Sequence, residues 1–476
     1  MGGGLLQLVA YGAQDAYITG NPHITFWKVM YKRHTNFAME AMRVNFTGTA
    51  QYGQRVVSIV NRNADLIYRT YLEVTLPDTS AAANGNTRDV NWTPGGMRRL
   101  GWLLLEKVEV EIGGQIIDRH YGEWWYLWES LTATIDQVSK ADQLLGGPIG
   151  GTKTTLTSCN GRPQVLYIPF GFWFNRNPGL ALPLIALQYH DVHFNVYFRK
   201  ATDLVTTYSA TGGNWTGIAS AAAALPAPKD AAIYIDYIYL DTDERRRFAQ
   251  DSHEYLIEQL QFSLPQTVTS ATARLDLTLN HPIKELVWLF QDARRLDCSL
   301  PTGTPADFYT GNSITVGGNP PVTPTQSLGG YTQPFAYDDI VNRCRIQLNG
   351  QDRFDERFGD YFWKVQPYQH HTGGAMPLLN AFVTTNDTTV TKDKVFQGTV
   401  NPINIYSFAL QPEEHQPSGT CNFSRIDTAT LVFDSVKAGG TSGYPTKSTP
   451  FVFRLYAINY NVFRVMSGMG GLAYSN

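Results

Sequence analysis

The chain has 476 residues, of which 43% are hydrophobic and only 17% are charged, and its net charge is −3. This length predicts roughly two to four domains with full hydrophobic cores, and the near-neutral charge gives no general basis for binding nucleic acid or a membrane surface. No apolar run approaches the ~18 residues of a membrane span, and the opening sequence MGGGLL lacks the basic region that begins a signal peptide.

Cysteine spacing and glycosylation sequons bear on the cellular compartment. Four cysteines are present: Cys159, Cys298, Cys344 and Cys421. They lie far apart and form neither a CxxC pair nor a zinc-binding pattern, so we expect free thiols and a reducing compartment. Five sequons occur: Asn45, Asn91, Asn214, Asn386 and Asn422. Because no secretory signal is visible, we interpret them as chance matches in a Thr-rich protein.

Residues 1–36 differ from the sequence that follows. Asn21-Pro22 fits the N-cap and first turn of a short helix, and Ile24, Trp27 and Tyr31 would form its apolar stripe. The basic residues that follow suit the C-terminal end of such a helix. Two interpretations stay open: an arm packed under its own domain, or an arm that reaches a neighbouring molecule.

From Phe37 onward the chain has the two-residue period of half-buried β-strands. Val108, Val110 and Ile112 alternate with charged residues, and Gly113-Gly114 then fits a two-residue hairpin turn. Few segments show a convincing helical period. We therefore predict an all-β chain whose turns are rich in its 42 Gly and 25 Pro.

The charged stretch Asp241–Phe262 separates two similar halves. The aromatic and β-branched run Tyr234–Leu240 before it is typical of a strand. Asp241 and Glu244 have the form of a capping box, and Asp243 and Arg247 stand at i, i+4. We interpret the segment as a short helical linker between tandem β-domains; the alternative is a solvated helix within one larger domain.

An internal repeat supports the tandem interpretation. Residues 110–115, VEIGGQ, are echoed by residues 346–351, IQLNGQ, 236 positions later. Gly113-Gly114 and Asn349-Gly350 both permit the positive φ angles of a type I′ turn. These two turns are therefore predicted to occupy matching hairpins.

The offset between the two copies grows along the chain. Phe37–Glu40 pairs with Tyr255–Glu258 at an offset of 218, whereas Gly122–Trp125 matches Gly359–Phe362 further on. The second copy must therefore carry extra residues between its early and middle strands. We place them in the Pro/Gly/Thr-rich stretch 299–334.

Copies of ~200 residues with about eight strands fit jelly rolls better than immunoglobulin-type domains of ~100 residues. The predicted fold is an all-β double jelly roll divided as follows: N-terminal arm 1–36, first jelly roll 37–241, linker helix 242–252, second jelly roll 253–465 and C-terminal tail 466–476. Five long loops are predicted to form surface crowns: residues 78–100, 133–163, 199–231, 299–334 and 383–399.

The sequence contains no Walker A loop, GxSxG elbow, HExxH or GxGxxG motif. On a strand, Asp191 and His193 share one face while His190 points to the other, so a packed or hydrogen-bonded site is favoured over a metal site. His370-His371 precedes Gly373-Gly374 and is interpreted as a loop without a ligand role. We predict no catalytic, cofactor-binding or metal-binding residue.

Three further clusters also receive structural interpretations. Glu106, Glu109 and Glu111 alternate with apolar residues and are predicted to face solvent, whereas acid/base work requires burial or a close like charge. Arg245–Arg247 is flanked by acidic residues and fits solvated or interface salt bridges. The cluster Trp124–Trp128 is predicted to be a core and inter-subunit anchor rather than a sugar-stacking platform.

Many short blocks together resemble the double jelly-roll major capsid proteins of nucleocytoplasmic large DNA viruses, the phycodnavirus, iridovirus and marseillevirus group. The blocks run from residue 8 towards the C-terminus: 8–15 LVAYGAQD, 19–22 TGNP, 35–37 TNF, 112–115 IGGQ, 178–183 PGLALP, 241–245 DTDER, 253–259 HEYLIEQ, 348–353 LNGQDR, 406–409 YSFA, 416–425 QPSGTCNFSR, 459–462 NYNV and 466–474 MSGMGGLAY.

The resemblance implies a structural protein and not an enzyme. It implies homotrimers that form pseudo-hexagonal capsomers and tile an icosahedral virus shell, with minor capsid and penton proteins as further partners. An internal viral membrane would lie close beneath the shell without being spanned, and no direct nucleic-acid binding is expected. The expected location is the virion capsid, assembled in the host cytoplasm, and glycans on the outer loops stay an open question.

The rival interpretation is a secreted two-domain carbohydrate-binding protein or glycosidase built on jelly rolls. The absent signal peptide and the unpaired cysteines count against it. Solution mass separates the two: a stable trimer near three times 53.2 kDa supports the capsid interpretation, and a glycan-binding monomer supports the rival.

Overall fold

The computed structural model describes residues 3–24, 26, 31–76, 88–92, 100–146, 165–209, 214–217, 227–292, 341–373, 403–435 and 450–474. Strands dominate both halves. The strands of the first half are β1 (Phe37–Thr47), β2 (Arg55–Ile59), β3 (Leu66–Thr75), β4 (Arg88–Trp92), β5 (Leu105–Ile112), β6 (Gln115–Tyr121), β7 (Val165–Pro169), β8 (Leu182–Pro183), β9 (Val192–Phe198), β10 (Val205–Ser209), β11 (Asn214–Gly217) and β12 (Asp230–Leu240).

Eight of these strands form the first jelly roll. One sheet has the order β7-β3-β12-β1 and the other has the order β2-β9-β5-β6, and β1 joins them because it pairs with both β12 and β2. All the pairs are antiparallel. Every second side chain along a strand points into the space between the two sheets. On β9 these side chains are Phe194, Val196 and Phe198, and all three are buried.

The second half repeats this arrangement. Its strands are β13 (His253–Val268), β14 (Thr272–Asp276), β15 (Pro282–Asp292), β16 (Val341–Leu348), β17 (Gln351–Asp352), β18 (Arg357–Phe358), β19 (Asn404–Ser407), β20 (Cys421–Asn422), β21 (Ala429–Ser435), β22 (Phe451–Met466) and β23 (Met469–Leu472). One sheet has the order β13-β22-β15-β19 and the other β14-β21-β16-β17. The predicted double jelly roll is confirmed, because each strand of the first roll has a counterpart in the second.

Short helices decorate the two rolls. The α-helices are α1 (Gly3–Val9), α2 (Ala16–Thr19), α3 (Leu100–Leu104), α4 (Gly122–Thr132), α5 (Ile135–Leu145), α6 (Trp173–Arg176), α7 (Ala201–Leu204), α8 (Thr242–Gln250) and α9 (Gln366–His370). Single-turn 3-10 helices lie at Ala13–Asp15, Pro178–Leu180 and Phe423–Arg425, and a π-helix spans Tyr361–Val365. The charged linker does contain a helix, α8, and its predicted N-cap Asp241 accepts a hydrogen bond from the Thr242 backbone N–H at 2.8 Å.

The two repeated turns occupy matching hairpins, as predicted. Gly113 and Gly114 join β5 to β6 with φ angles of 58° and 83°, and Asn349 and Gly350 join β16 to β17 with φ angles of 50° and 78°. All four residues are in the left-handed region that a type I′ turn requires. The repeat in the sequence is therefore a repeat in three dimensions.

A pair of alanine substitutions in the first turn tests what each glycine does. Gly114→Ala should cost about 1–2 kcal/mol through backbone strain alone, because no atom lies near its added Cβ. Gly113→Ala should cost more, since its Cβ would also collide with the His190 ring. Denaturant unfolding of both variants at one protein concentration measures the difference, and equal losses would show that His190 does not pack against the turn.

Two local predictions are wrong. The helix proposed from Asn21 is absent at the described residues 21–24, 26 and 31–36, and the helices of the arm, α1 and α2, lie earlier. The predicted loop 133–163 contains α5, an 11-residue helix.

The predicted loops 78–100 and 199–231 also contain regular structure. They contribute β4, β10 and β11, which form a separate three-stranded sheet. The proposed insertion 299–334 and the loop 383–399 lie outside the described residues.

Each roll has two distinct ends. At the base end, β1 begins opposite the last residue of β12, and β13 begins opposite the end of β22. At the other end, which we call the loop end, Thr75 of β3 lies opposite Asp230, and Asp292 of β15 lies opposite Phe451. Helix α8 joins the base ends of the two rolls.

Candidate functional site at the interface between the two jelly rolls

The histidine motif 190–193 serves packing within the chain. His190 Nδ1 lies 2.9 Å from the Gly470 carbonyl oxygen, and the Gly468 carbonyl accepts a hydrogen bond from Tyr189 N–H at 3.0 Å. Asp191 pairs with Arg62 at 3.0 Å. The motif thus holds the β22–β23 hairpin, part of the predicted C-terminal tail 466–476, against the first roll, in keeping with the packed site that we predicted.

The prediction that His370-His371 is a loop is wrong for His370. His370 ends α9, and His371 is buried between two carboxylates. Its Nε2 lies 2.5 Å from Glu285 Oε1 and its Nδ1 lies 3.0 Å from Glu413 Oε1. Burial by itself lowers the pKa of His371, but these two carboxylates outweigh it and raise that pKa to about 9.

The prediction that all three glutamates of β5 face solvent is wrong for Glu109. Glu106 is exposed and Glu111 is half-buried, but Glu109 is buried, with Lys107 Nζ at 3.0 Å and Arg119 Nε at 2.6 Å. Burial raises the pKa of Glu109, but the two cations outweigh it and the net shift is downward. Glu109 is thus a charged structural group and not a proton donor.

The arginines of α8 make salt bridges. Arg245 Nε lies 3.0 Å from Asp65 Oδ1 of the first roll, and Asp65 is itself buried. Arg247 pairs with Asp251 at 3.5 Å on the exposed surface. Asp65 also accepts a hydrogen bond from the Leu240 N–H at 2.9 Å, so the start of the linker is fixed to the first roll.

The aromatic cluster of α4 divides between the core and the contact with the second roll. Trp125 stacks on Phe170 inside the first roll, with ring centroids 5.6 Å apart. Trp124 instead packs against Tyr456 of β22 at 5.5 Å. Trp124 and Trp125 are both almost fully buried, which confirms the predicted core role. An inter-subunit role stays a prediction.

A buried ion triad lies beside this cluster. Glu123 of α4 contacts Arg199 of the first roll at 3.2 Å and Arg454 of β22 in the second roll at 3.1 Å. Burial raises the pKa of Glu123, but Arg454 and Arg199 outweigh it and the net shift is downward. One carboxylate thus joins the two rolls by charge, a contact that the sequence analysis missed.

A second charged group also crosses the contact. Glu258 of β13 pairs with Lys284 at 2.6 Å inside the second roll and with Arg176 of the first roll at 3.1 Å. Lys284 is fully buried, and Arg176 lies over the Trp128 ring at 4.8 Å. Burial raises the pKa of Glu258. The hydrogen bond with His415 and the positive charges of Lys284 and Arg176 outweigh it, so the net shift is downward.

Hydrogen bonds to backbone atoms complete the contact. Gln259 Nε2 donates to the Ile117 carbonyl at 2.5 Å, and Leu260 N–H donates to Asp118 Oδ1 at 3.2 Å. Near His371, Gly373 N–H donates to the Leu131 carbonyl at 2.9 Å. Apolar residues of both rolls belong to one continuous core cluster, so the two rolls pack as a unit.

Within the described residues, no group of three or more His, Cys, Asp or Glu side chains is arranged to hold a metal ion. The same part of the chain has no helix with the length and apolar character that a membrane crossing requires. Glu123, Glu258 and His371 each have a partner of opposite charge. Fold and site together define a tandem jelly-roll protein whose distinctive feature is a buried, charged contact between its two rolls.

Comparison with known proteins identifies the family. Residues 25–241 match the family described as major capsid protein N-terminus, and residues 244–384 and 396–471 match the large eukaryotic DNA virus major capsid protein family. The chain is 42% identical over 477 residues to the major capsid protein of Pyramimonas orientalis virus and 41% identical over 559 residues to that of Phaeocystis pouchetii virus, with 100% of each chain covered.

Solved structures agree with the sequence comparison. A quasi-atomic model of the PBCV-1 virus capsid superposes with a TM-score of 0.69 at 33% identity, covering 95% of this chain and 100% of that chain. The chain therefore belongs to the major capsid protein family of large eukaryotic DNA viruses. It is a structural, non-enzymatic component of an icosahedral virion capsid, as the resemblance implied.

Proposed function

We propose that three copies of this chain assemble into a pseudo-hexagonal capsomer and that these homotrimers tile the icosahedral shell. The supporting observation is the shared strand order of the two rolls. Three chains then supply six similar rolls, so one trimer presents nearly sixfold contacts to its neighbours. The division into arm 1–36, rolls 37–241 and 253–465, linker 242–252 and tail 466–476 belongs to this proposal.

The orientation of the trimer is also a proposal. Described arm residues such as Leu8, Tyr17 and Ile24 are exposed, which favours an arm that reaches a neighbouring molecule over an arm packed under its own roll. The arm precedes β1 at the base end, whereas β3 and β15 run towards the loop end. The base end would then face inward and the loop end outward.

Further partners follow from that orientation. The inward base would meet minor capsid and penton proteins, with an internal viral membrane beneath the shell that the chain does not span. Direct nucleic-acid binding is not proposed, given a net charge of −3. Assembly in the host cytoplasm agrees with the free thiol of Cys421. We assign the chain no catalytic, cofactor-binding or metal-binding residue.

Solution mass under two salt concentrations tests the trimer. We expect a species of three times 53.2 kDa by light scattering, because obligate oligomers bury large and mostly apolar areas. Raising the salt from ~0.1 M to ~1 M shortens the Debye length from ~10 Å to ~3 Å and should leave the trimer whole. Folded monomers produced by high salt at neutral pH would mean that ion pairs hold it together.

Deletion of residues 1–20 tests the role of the arm. Among the described residues 3–20 no side chain is buried within the subunit, so trimers should form as in the intact chain while shell assembly is impaired. Light scattering measures the first outcome and electron microscopy of assembly mixtures the second. Loss of the trimer itself would show that the arm belongs to the subunit contact.

A further inference from the structure

The contact between the two rolls has two sides, and the internal repeat provides a second copy of each side. On the second roll, the edge segment Tyr255–Leu260 of β13 contacts the first roll. On the first roll, the contact is a corner formed by Ile117–Tyr121 of β6 and by the outer residues of α4. The second copy of the edge segment lies on the first roll, and the second copy of the corner lies on the second roll.

The edge segment has a counterpart in β1. Tyr255 corresponds to Phe37, since 255 − 37 = 218, and Leu260 corresponds to Met42 at the same offset. The pairings agree, because Glu258 lies opposite Tyr460 and its counterpart Glu40 lies opposite Tyr237 of the matching strand. The two segments therefore occupy the same place in their rolls.

Burial differs sharply between the two segments. Every residue of Tyr255–Leu260 is buried or half-buried, whereas Phe37, Met39 and the residues around them are exposed up to Ala41. The exposed fractions are 53% for Phe37 and 48% for Met39. In the described chain, β1 pairs with β12 along residues 37–45 and with β2 only at residues 46 and 47, so the outer edge of the segment is open.

The corner has a counterpart at the start of the helical segment after β16. Gly122 corresponds to Gly359, since 359 − 122 = 237, so Asp118 corresponds to Asp355 and Tyr121 to Phe358. Asp118 is buried and Tyr121 half-buried against the second roll, but Asp355 and Phe358 are both exposed.

The offset of 237 also relates residues of α4 to residues that follow β18, and core residues there differ in burial from contact residues. Trp125 corresponds to Phe362, and each is buried in its own roll, on Phe170 and on Trp288. Trp128 and Leu131, which lie towards the second roll, correspond to Val365 and Tyr368. Val365 is 38% exposed and Tyr368 is 85% exposed. The exposed residues Val365 and Tyr368 of the second roll are therefore the counterparts of first-roll residues that the contact within the chain covers.

We propose that the edge segment Phe37–Met42 of one copy docks on the corner Asp355–Phe358, Val365 and Tyr368 of a second copy. By analogy with the contact inside the chain, Asp355 would accept a hydrogen bond from the Met42 backbone N–H. Each chain carries one side of this contact on each roll, so the association is head-to-tail and closes with three copies and six rolls. The assignment rests on the proposed trimer and names the surfaces that form it.

The contact between copies is expected to be less charged than the contact inside the chain. Tyr255 lies opposite Phe463 of β22, and its counterpart Phe37 lies opposite Leu240 of β12. Residues of β22 and β12 therefore correspond at an offset of 463 − 240 = 223. The residue corresponding to Arg454 is therefore Ala231. The counterpart of Glu123 is Asp360, which is exposed and pairs with Lys364 of its own roll at 2.8 Å. The buried ion triad therefore has no equivalent in the proposed contact, which agrees with the expectation that the trimer survives high salt.

Aspartate substitutions test the assignment. Met39→Asp and Phe358→Asp should each raise the protein concentration at which trimers dissociate by roughly tenfold or more, because each buries a charge in the contact. Leu264→Asp is the matched control, since Leu264 is 81% exposed and belongs to neither surface, and it should leave the trimer unchanged. Trimers as stable as wild type in both test variants would overturn the assignment, and a monomeric wild type would overturn the proposed trimer as well.

Cysteine pairs test the direction of the contact. Leu260 N–H and Asp118 Oδ1 are 3.2 Å apart, so Met42→Cys and Asp355→Cys should approach within disulfide range between copies. A mixture of the two single variants should form covalent dimers under mild oxidation, and the double variant should form covalent trimers. Each single variant alone should crosslink no more than wild type, and self-crosslinking by either one would overturn a head-to-tail contact.

Discussion

Glu123→Gln should destabilise the contact between the two rolls by about 3–5 kcal/mol, among the largest losses expected of a single substitution in this chain. Glu123 is buried between Arg199 at 3.2 Å and Arg454 at 3.1 Å. Glutamine keeps the shape of the side chain but removes the negative charge that lies between two nearly buried guanidinium groups. Tyr456, which donates a hydrogen bond to Glu123 Oε2, loses a charged acceptor in the same variant.

Denaturant unfolding at a fixed protein concentration measures this loss, because trimer formation makes apparent stability depend on concentration. Glu254→Gln is the control. Glu254 pairs with Arg464 at 2.8 Å, but both side chains are about half exposed, so this pair should contribute no more than ~1 kcal/mol. Equal losses in the two variants would show that burial does not set the strength of the triad.

The repeat made most of the fold predictable from sequence. Type I′ turns admit few residue pairs, so Gly113-Gly114 and Asn349-Gly350 marked the same hairpin in both rolls. Alternation of apolar and polar residues located strand β5, because one side of this strand is covered by the opposite sheet. These signals are local, and both rolls use them in the same way.

Helix α5 was missed although a local signal exists. The Thr134 N–H donates to Gln137 Oε1 at 3.0 Å, half of a capping box in the sequence Thr-x-x-Gln. The surrounding Gly, Ser and Thr residues led to its interpretation as loop.

The charged contact between the rolls could not be predicted from the sequence. Glu123 and Arg454 are 454 − 123 = 331 positions apart, and neither stands in a pattern that identifies the other. Glu109 was misassigned for a related reason: alternation predicts which side of the strand it is on, but Lys107 and Arg119 cover that side. Burial of a charge depends on which side chains pack around it, here Lys107 of the same strand and Arg119 of β6, and periodicity does not report these contacts.

His371 should make the stability of the second roll fall at alkaline pH. Its pKa is raised from 6.5 to about 9, so its contribution is complete below about pH 6.5 and is lost as pH rises through about 9. The difference of 9 − 6.5 = 2.5 corresponds to roughly 3 kcal/mol, and no screening correction applies because the His371 side chain is fully buried. The contribution of Glu413 to stability has the opposite pH dependence. The pKa of Glu413 is lowered, so this contribution is present above about pH 4.5 and is lost on acidification.

The substitution His371→Gln isolates the part of the stability that is lost at alkaline pH. The variant should be less stable than wild type at pH 6.5 by up to roughly 3 kcal/mol, and the gap should close as pH approaches and passes about 9. His370→Gln is the matched control, because His370 is the neighbouring residue but is only half-buried, with Nδ1 3.1 Å from the Leu410 carbonyl oxygen. Denaturant unfolding across pH 6–10 measures all three proteins. If His371→Gln keeps the wild-type pH dependence, the imidazolium between Glu285 and Glu413 does not stabilise the roll, and the geometry at 2.5 Å and 3.0 Å reflects a neutral hydrogen-bonded group instead.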